Sequence, residues 1–241
     1  MTHLRYDKRQ PDQLRPLQFQ MNFQRHAAGS VLVEAGQTRV ICSVTVTPGV
    51  PPWMRAQNVS GGWLTCEYRM LPGATAQRSR RESGNGPGGR THEIQRLIGR
   101  SLRAVVDLQA LGCNTVNIDC DVLDADGGTR CAAITGACVA LDLALRKMLT
   151  DGTITSWPLR QHVAAVSVGV VDAQVMLDLC YEEDAAASVD MNVVMTGNGE
   201  FVEVQGTGEG ATFTESQMQQ MLQLARRGLD DIFQLQKQVL Q

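Results

Sequence analysis

No stretch of the 241-residue chain approaches the roughly 18 consecutive apolar residues that a membrane-spanning helix requires, so no such helix is expected. The opening "MTHLRYDKRQPDQLRP" lacks the apolar centre of a secretion signal, which leads us to expect an intracellular, cytoplasmic protein. Seven cysteines are present, yet none are spaced as Cys-x-x-Cys. Their odd number and scatter argue against a disulfide framework and against a zinc site, leaving them as small buried apolar residues. There is no Gly-x-x-x-x-Gly-Lys-Ser/Thr loop, no Gly-x-Ser-x-Gly elbow and no His-Glu-x-x-His helix. Histidine is scarce: His3, His26, His92 and His162 are the four, and His92, near a helix start, is expected to hold a satisfied surface role.

What remains is ordinary globular composition, 43% hydrophobic and 20% charged, long enough for one chain-length domain of two packed halves, roughly 1–150 and 151–241. The net charge of -3 hides an asymmetry. Between Arg78 and Arg103 lie seven arginines (Arg78, Arg80, Arg81, Arg90, Arg96, Arg100, Arg103) against two acids, Glu82 and Glu93. The planar guanidinium fork matches phosphate oxygens, so a cluster made only of arginine suits phosphate recognition as well as a solvated, salt-bridged face.

Periodicity organises the chain. "SVLVEAG" and "TRVICSVTV" are rich in β-branched residues around a glycine-containing break and predict a hairpin, which "GWLTCEYRML" continues as sheet. Gly73 to Gly89 is predicted as a long loop. Apolar residues at spacings of three and four from Ile94 to Leu108 predict an amphipathic helix, with Gly112 as its stop. "TVNIDCDVLDADGG" alternates Val116, Ile118, Cys120 and Val122 with Asn117, Asp119 and Asp121, a strand with one acidic face, its aspartates solvated or paired with arginine. It runs through Gly127-Gly128 into a buried helix, with Thr129 placed to cap it. "VAAVSVGVV", "QVMLDLCYE", "SVDMNVVMT" and "EFVEVQGT" predict strands in two hairpins, and a Thr-x-x-Gln capping box opens a final amphipathic helix at Thr214. The fold class expected is α+β, with mixed β-sheets and hairpins packed against a few long helices.

Two constellations suit chemistry. Unpaired N–H groups and the positive dipole end of a helix attract anions, and glycine lets an anion approach the backbone. Gly127-Gly128-Thr129-Arg130 combines these with a hydroxyl and a guanidinium, and "GPGGRT" places Arg90 at a second such helix start. Converging, the two would hold one phosphate; separately, the glycines would serve only their turns. In "EEDAAASVDMN", Asp184 and Asp190 flank a hairpin turn or short connection and would either share a divalent cation or sit in solvent.

The segments "PDQLRP", "GSVLVE", "EYRMLP", "GGRTHEIQRLIGRSLR", "DCDVLDADGGTR", "AAITGACVAL", "EEDAAASVDMNVVMT" and "FVEVQGTGEG", in that order and over nearly the full chain, closely resemble the bacterial ribonuclease PH family. The resemblance implies that fold and a phosphate-dependent 3′-to-5′ exoribonuclease that trims precursor tRNA and other RNA. It also implies release of nucleoside diphosphates, reversal as a nucleotidyltransferase, a homohexamer built as a trimer of dimers, and a divalent cation, magnesium or else manganese. By the same resemblance Arg90, Gly128, Thr129 and Arg130 bind phosphate, Asp184 and Asp190 hold the metal, and Asp184, Asp190 and Arg130 are catalytic. Arg78, Arg80, Arg81 and Arg96 would contact RNA. The sequence departs from the family's usual residues at Arg69, where glycine is usual, at Gly73, where arginine is usual, and in "RAQNVSGGW". The competing expectations are a noncatalytic RNA-binding subunit of a phosphorolytic ring and a small-molecule phosphotransferase.

Overall fold

The structure, a computed structural model, describes residues 5–82 and 86–241. His3 and residues 83–85 of the expected Gly73–Gly89 loop lie outside the described residues. In chain order the elements are β1 (Leu17–Met21), β2 (Gly29–Ala35), β3 (Thr38–Pro48), α1 (Pro52–Ala56), β4 (Trp63–Met70), α2 (Gly89–Val105), β5 (Asn114–Asp124) and α3 (Thr129–Thr150). There follow β6 (Val163–Val171), β7 (Gln174–Leu177), α4 (Tyr181–Ala186), β8 (Val189–Thr196), β9 (Phe201–Gly208) and α5 (Glu215–Val239). The first sheet has the order β1-β2-β3-β5-β4, antiparallel except for the parallel β4/β5 pair, and the second is the antiparallel β7-β6-β8-β9. This is the α+β architecture of mixed sheets, hairpins and long helices that the sequence predicts.

The position of α3 explains its composition. It packs on β2 and β3 of one sheet and on β6 of the other, so nearly its whole circumference is buried and no polar face survives. By contrast α2 and α5 each bury one stripe, Ile94, Leu97, Ile98, Leu102 and Val105 in α2 and Met221, Ala225, Leu229 and Ile232 in α5. The capping box at Thr214 forms as predicted: the Gln217 N–H donates to Thr214 Oγ1 at 3.2 Å, and the Thr214 N–H to Gln217 Oε1 at 2.9 Å. Six of the seven cysteines are buried and reduced, and Cys113 is exposed.

Several expectations need correction. The helix with stripe Ile94–Leu108 does not continue to Gly112: it ends at Val105 because Val106 turns extended and bridges Leu159, while the Arg160 N–H takes the Val105 carbonyl. Gly112, at φ +61°, instead turns the chain into β5. The strand expected over "QVMLDLCYE" stops at Leu177, and Asp178 adopts a left-handed φ of 53°. Beyond it Glu182, Glu183 and Asp184 occupy the first turn of α4, where acidic residues suit the helix dipole, and Glu183 Oε2 accepts the Cys180 N–H at 3.0 Å. Asp184 therefore rides on a short helix, and a short connection, not a hairpin turn, leads from it to Asp190 in β8. Strand β1 and helix α1 had no counterpart in the sequence expectations.

Candidate active site

The strand-to-helix junction at Ala125–Arg130 forms one wall of a cleft of about 440 Å³. Gly127 and Gly128 both have left-handed φ, 71° and 64°, which folds the turn tightly enough to present the first N–H groups of α3 to the cleft. Thr129 does not cap α3 as expected: it is the first helical residue, Gly128 is the N-cap, and among the described residues no side chain caps that end. The Thr129 hydroxyl is instead taken by Tyr68, whose Oη donates to Thr129 Oγ1 at 2.8 Å.

Behind the turn stands Arg15, only 4% exposed. Its Nη1 donates to the Asp126 carbonyl at 2.5 Å, and its backbone N–H, Nε and Nη2 all donate to the Asp178 carboxylate at 2.7, 3.0 and 2.7 Å. The Thr38 hydroxyl donates to the Gly127 carbonyl at 2.7 Å and accepts the Asp126 N–H at 2.9 Å. The cradle is thus fastened from both sheets before any ligand arrives.

From the other entrance, Arg90 sits in the first turn of α2, with the glycine N-cap Gly88. Glu82 secures this start: its Oε1 accepts the Gly88 N–H at 3.0 Å and the Thr91 hydroxyl at 2.9 Å, while its carbonyl accepts Arg69 Nη1 at 2.8 Å. Arg69 therefore ties the loop before α2 to strand β4. Arg90 is exposed and has no hydrogen-bond or ion-pair partner among the described residues. Arg130 is held more firmly, its Nη1 donating to Gln205 Oε1 at 3.0 Å and to Glu93 Oε1 at 3.3 Å, and Gln205 Nε2 donating to the same Glu93 oxygen at 3.1 Å.

The facing wall is acidic. Asp184 from α4, Asp190 from the start of β8 and Glu209 line it. Burial pushes the Asp190 carboxyl up to about 6, and repulsion from Asp184 adds to the rise against the pull of Arg130. Burial also raises Asp184, opposed by Arg90 and Arg130. Asn192 Nδ2 donates weakly to Asp190 Oδ2 at 3.4 Å, and Cys131 Sγ donates to Asn192 Oδ1 at 3.3 Å. Asp190 Oδ1 is buried with no hydrogen-bond partner among the described residues. An orphaned carboxylate oxygen beside a second carboxylate is a donor set that a hard cation satisfies.

The structure thus brings Arg90, Gly128, Thr129, Arg130, Asp184 and Asp190 to one cleft. Arg78, Arg80, Arg81 and Arg96 are exposed and outside its lining; the loop carrying the first three adjoins it through Met70 and Thr75. Tyr68, Arg15, Asp178, Gln205 and Asn192 escaped the sequence reading. Each has a side-chain partner at least 61 residues away, Thr129 for Tyr68, Asp178 for Arg15, Arg130 for Gln205 and Cys131 for Asn192, although Asn192 also lies two residues from Asp190. The family-like segments "PDQLRP", "EYRMLP", "EEDAAASVDMNVVMT" and "FVEVQGTGEG" contain four of them, Arg15, Tyr68, Asn192 and Gln205, but without a role.

Two intimately joined sheets, a glycine cradle with two arginines, and an opposed carboxylate pair define a class of protein that handles phosphate groups. The sequence matches the 3′ exoribonuclease family, domain 1 over residues 13–146 and domain 2 over residues 161–228. Ribonuclease PH of Bacillus subtilis (strain 168) is 54% identical over 239 residues, covering 98% of this chain and 97% of that protein. Ribonuclease PH of Corynebacterium efficiens is 57% identical over 237 residues, covering 98% and 96%. Among solved structures, rice (Oryza sativa) Rrp46 superposes with a TM-score of 0.80 at 21% identity over 98% of this chain and 99% of that one. The Archaeoglobus fulgidus exosome with RNA bound to the active site also gives 0.80, at 24% identity over 95% and 92%. The chain belongs to the 3′ exoribonuclease family.

Proposed function

We propose that the Gly127–Arg130 cradle holds inorganic phosphate as the attacking group and that Asp184 and Asp190 face the last phosphodiester of an RNA 3′ end across the same cleft. The enzyme is a phosphate-dependent 3′-to-5′ exoribonuclease of the ribonuclease PH type. The observation that carries the assignment of residues is the shared lining: the two helix starts, both arginines and both carboxylates border one cavity. A noncatalytic RNA-binding subunit would not need this complete set.

The chemistry follows from the parts. The α3 N–H groups, the Thr129 hydroxyl, Arg90 and Arg130 fix phosphate so that one oxygen attacks the terminal phosphorus, and holding both reactants together removes much of the entropic barrier. A P–O bond forms, the bond to the preceding 3′ oxygen breaks, and the last residue departs as a nucleoside diphosphate. The shortened chain keeps its 3′ oxygen, which gains a proton. Since one phosphoryl linkage replaces another, the same geometry serves the reverse nucleotidyl transfer. Asp184 and Asp190 would hold a divalent cation, magnesium by the family resemblance with manganese as the alternative, whose charge offsets that on the scissile phosphate and the leaving oxygen. Arg78, Arg80, Arg81 and Arg96 would contact the RNA backbone, positioning it without reading its sequence. Precursor tRNA as substrate and a homohexamer, a trimer of dimers, complete the reading.

The test is a tRNA with an extended 3′ tail incubated with and without phosphate. Nucleoside diphosphates should appear only with phosphate, and Arg130→Ala should lose nearly all of that activity while the oligomer persists. Monophosphate release, or full activity of Arg130→Ala, would overturn the assignment.

A further inference from the structure

Resting on the phosphate reading of the cradle, we infer that Tyr68 is a positioning residue: its hydroxyl donates to Thr129 Oγ1 and thereby turns the Thr129 proton toward the bound anion.

Tyr68 lies on β4, where Leu64, Cys66 and Tyr68 alternate toward the core. The side chain is sunk in the core beside Cys120, its strand partner on β5, and the residue is 2% exposed. Its hydroxyl surfaces at only one place, the first residue of α3, and Thr129 Oγ1 is the one hydrogen-bond partner that this hydroxyl has among the described residues. Thr129, at 5% exposure, has no other side-chain partner among them, yet it lines the cleft.

A threonine hydroxyl carries one proton and two lone pairs. If Thr129 donated to Tyr68, it would turn a lone pair to the cleft, against the oxygens of an anion. If Tyr68 donates, the Thr129 proton is left free for the cleft, and the chain runs Tyr68 to Thr129 to phosphate, each link polarising the next. A phenol is the group to impose that direction. Burial drives its pKa upward, so the proton stays on the oxygen even with Arg90 and Arg130 nearby pulling the other way. Among the described residues the hydroxyl has no other hydrogen-bond partner, so rotating away would lose this bond, a loss that burial makes costly. Tyr68 never touches the ligand. It presets a donor at the cradle's edge, and the entropy of orienting that donor is spent on folding instead of on binding.

The experiment is a double-mutant cycle on the full-length enzyme, with inorganic phosphate as the varied substrate at saturating RNA. Tyr68→Phe keeps the ring in the core and should raise KM for phosphate about tenfold, equivalent to about 1.4 kcal/mol, with kcat changed less than about threefold and KM for RNA unmoved. In a Thr129→Val background, Tyr68→Phe should add nothing; in Thr129→Ser, which retains the hydroxyl, its full effect should return. The upward shift of melting temperature with phosphate gives a readout independent of turnover and should shrink in the same pattern. An unchanged KM for phosphate in Tyr68→Phe, or an equal effect with and without the Thr129 hydroxyl, overturns the inference. If instead Thr129→Val and Arg130→Ala leave phosphate KM and phosphate protection unaltered, the phosphate reading itself has failed.

Discussion

Arg15 and Asp178, 163 residues apart, are joined by three hydrogen bonds: the backbone N–H, Nε and Nη2 of Arg15 all end on the Asp178 carboxylate, at 2.7, 3.0 and 2.7 Å. Burial alone would raise the Asp178 carboxyl, but the Arg15 charge and its hydrogen bonds hold it below the ordinary carboxylate range. Asp178→Asn should cost about 3–5 kcal/mol in urea unfolding, because it strands a buried guanidinium. A loss below about 1 kcal/mol would contradict the assigned role. The pair's contribution is fully present at neutral pH and disappears as pH falls below the ordinary aspartate value of 3.8 and through the depressed folded one.

Asp190 has the opposite sign. With its carboxyl pushed up to about 6 from 3.8, the folded protein binds this proton more tightly than the unfolded chain, so stability falls as pH rises across that window. Asp190→Asn should therefore melt higher than the parent at pH 7.5, by on the order of 1 kcal/mol after solvent screening, with the gap closing below pH 4. Phosphorolysis should be lost in the same variant. Melting curves across pH check the first point: a variant no more stable than its parent at pH 7.5 would refute it.

Of the two turn glycines, Gly127 should tolerate substitution less. A Cβ there would lie 2.6 Å from the Leu179 carbonyl oxygen and 2.7 Å from the Cys180 carbonyl carbon, both backbone, whereas at Gly128 the nearest atom is Arg15 Nη2, a side-chain end, at 2.9 Å. Both also demand a left-handed φ. Gly127→Ala should lose about 3 kcal/mol or more and Gly128→Ala about 1–2 kcal/mol, compared by denaturant midpoint. The reverse ranking would mean that the turn is not braced by the Leu179–Tyr181 backbone.

Glu82→Ala should loosen the beginning of α2, since one carboxylate oxygen serves both the Gly88 N–H and the Thr91 hydroxyl. We expect a loss of about 1 kcal/mol and a severalfold higher KM for phosphate through Arg90, both largely restored in Glu82→Gln, which keeps the acceptor. Steady-state kinetics of the pair of variants decides this; identical behaviour of Ala and Gln would point to charge alone.

The residues that face the cleft were legible where chemistry is written locally. Strand alternation running into Gly127-Gly128 located the cradle, and the arginine-rich amphipathic pattern located α2. Local pattern also misled. Leu108 stays in phase with the α2 stripe, but pairing of Val106 with Leu159, more than 50 residues on, breaks the helix first. Three acids, Glu182–Asp184, carry too little periodicity to show a six-residue helix, whereas β1 does alternate Leu17, Phe19 and Met21 with glutamines, Leu17 and Phe19 packing partly buried against the core, but it is only five residues long. The supports are less visible still. Nothing near Tyr68 announces Thr129, and nothing near Arg15 announces Asp178, because such pairs exist only once both sheets have closed around α3.

The span between Arg15 and Asp178 also orders events during synthesis. Arg5 and Arg15 leave the ribosome early, whereas Glu183 and Asp178, which neutralise them, emerge after more than two-thirds of the chain. Until then the glycine turn has been translated with Thr38 fastening it but without the Arg15–Asp178 pair behind it. A nascent chain halted after α3 would carry the turn's residues without the rigid shape that an anion needs, so competence arrives only when the second sheet's first hairpin folds back.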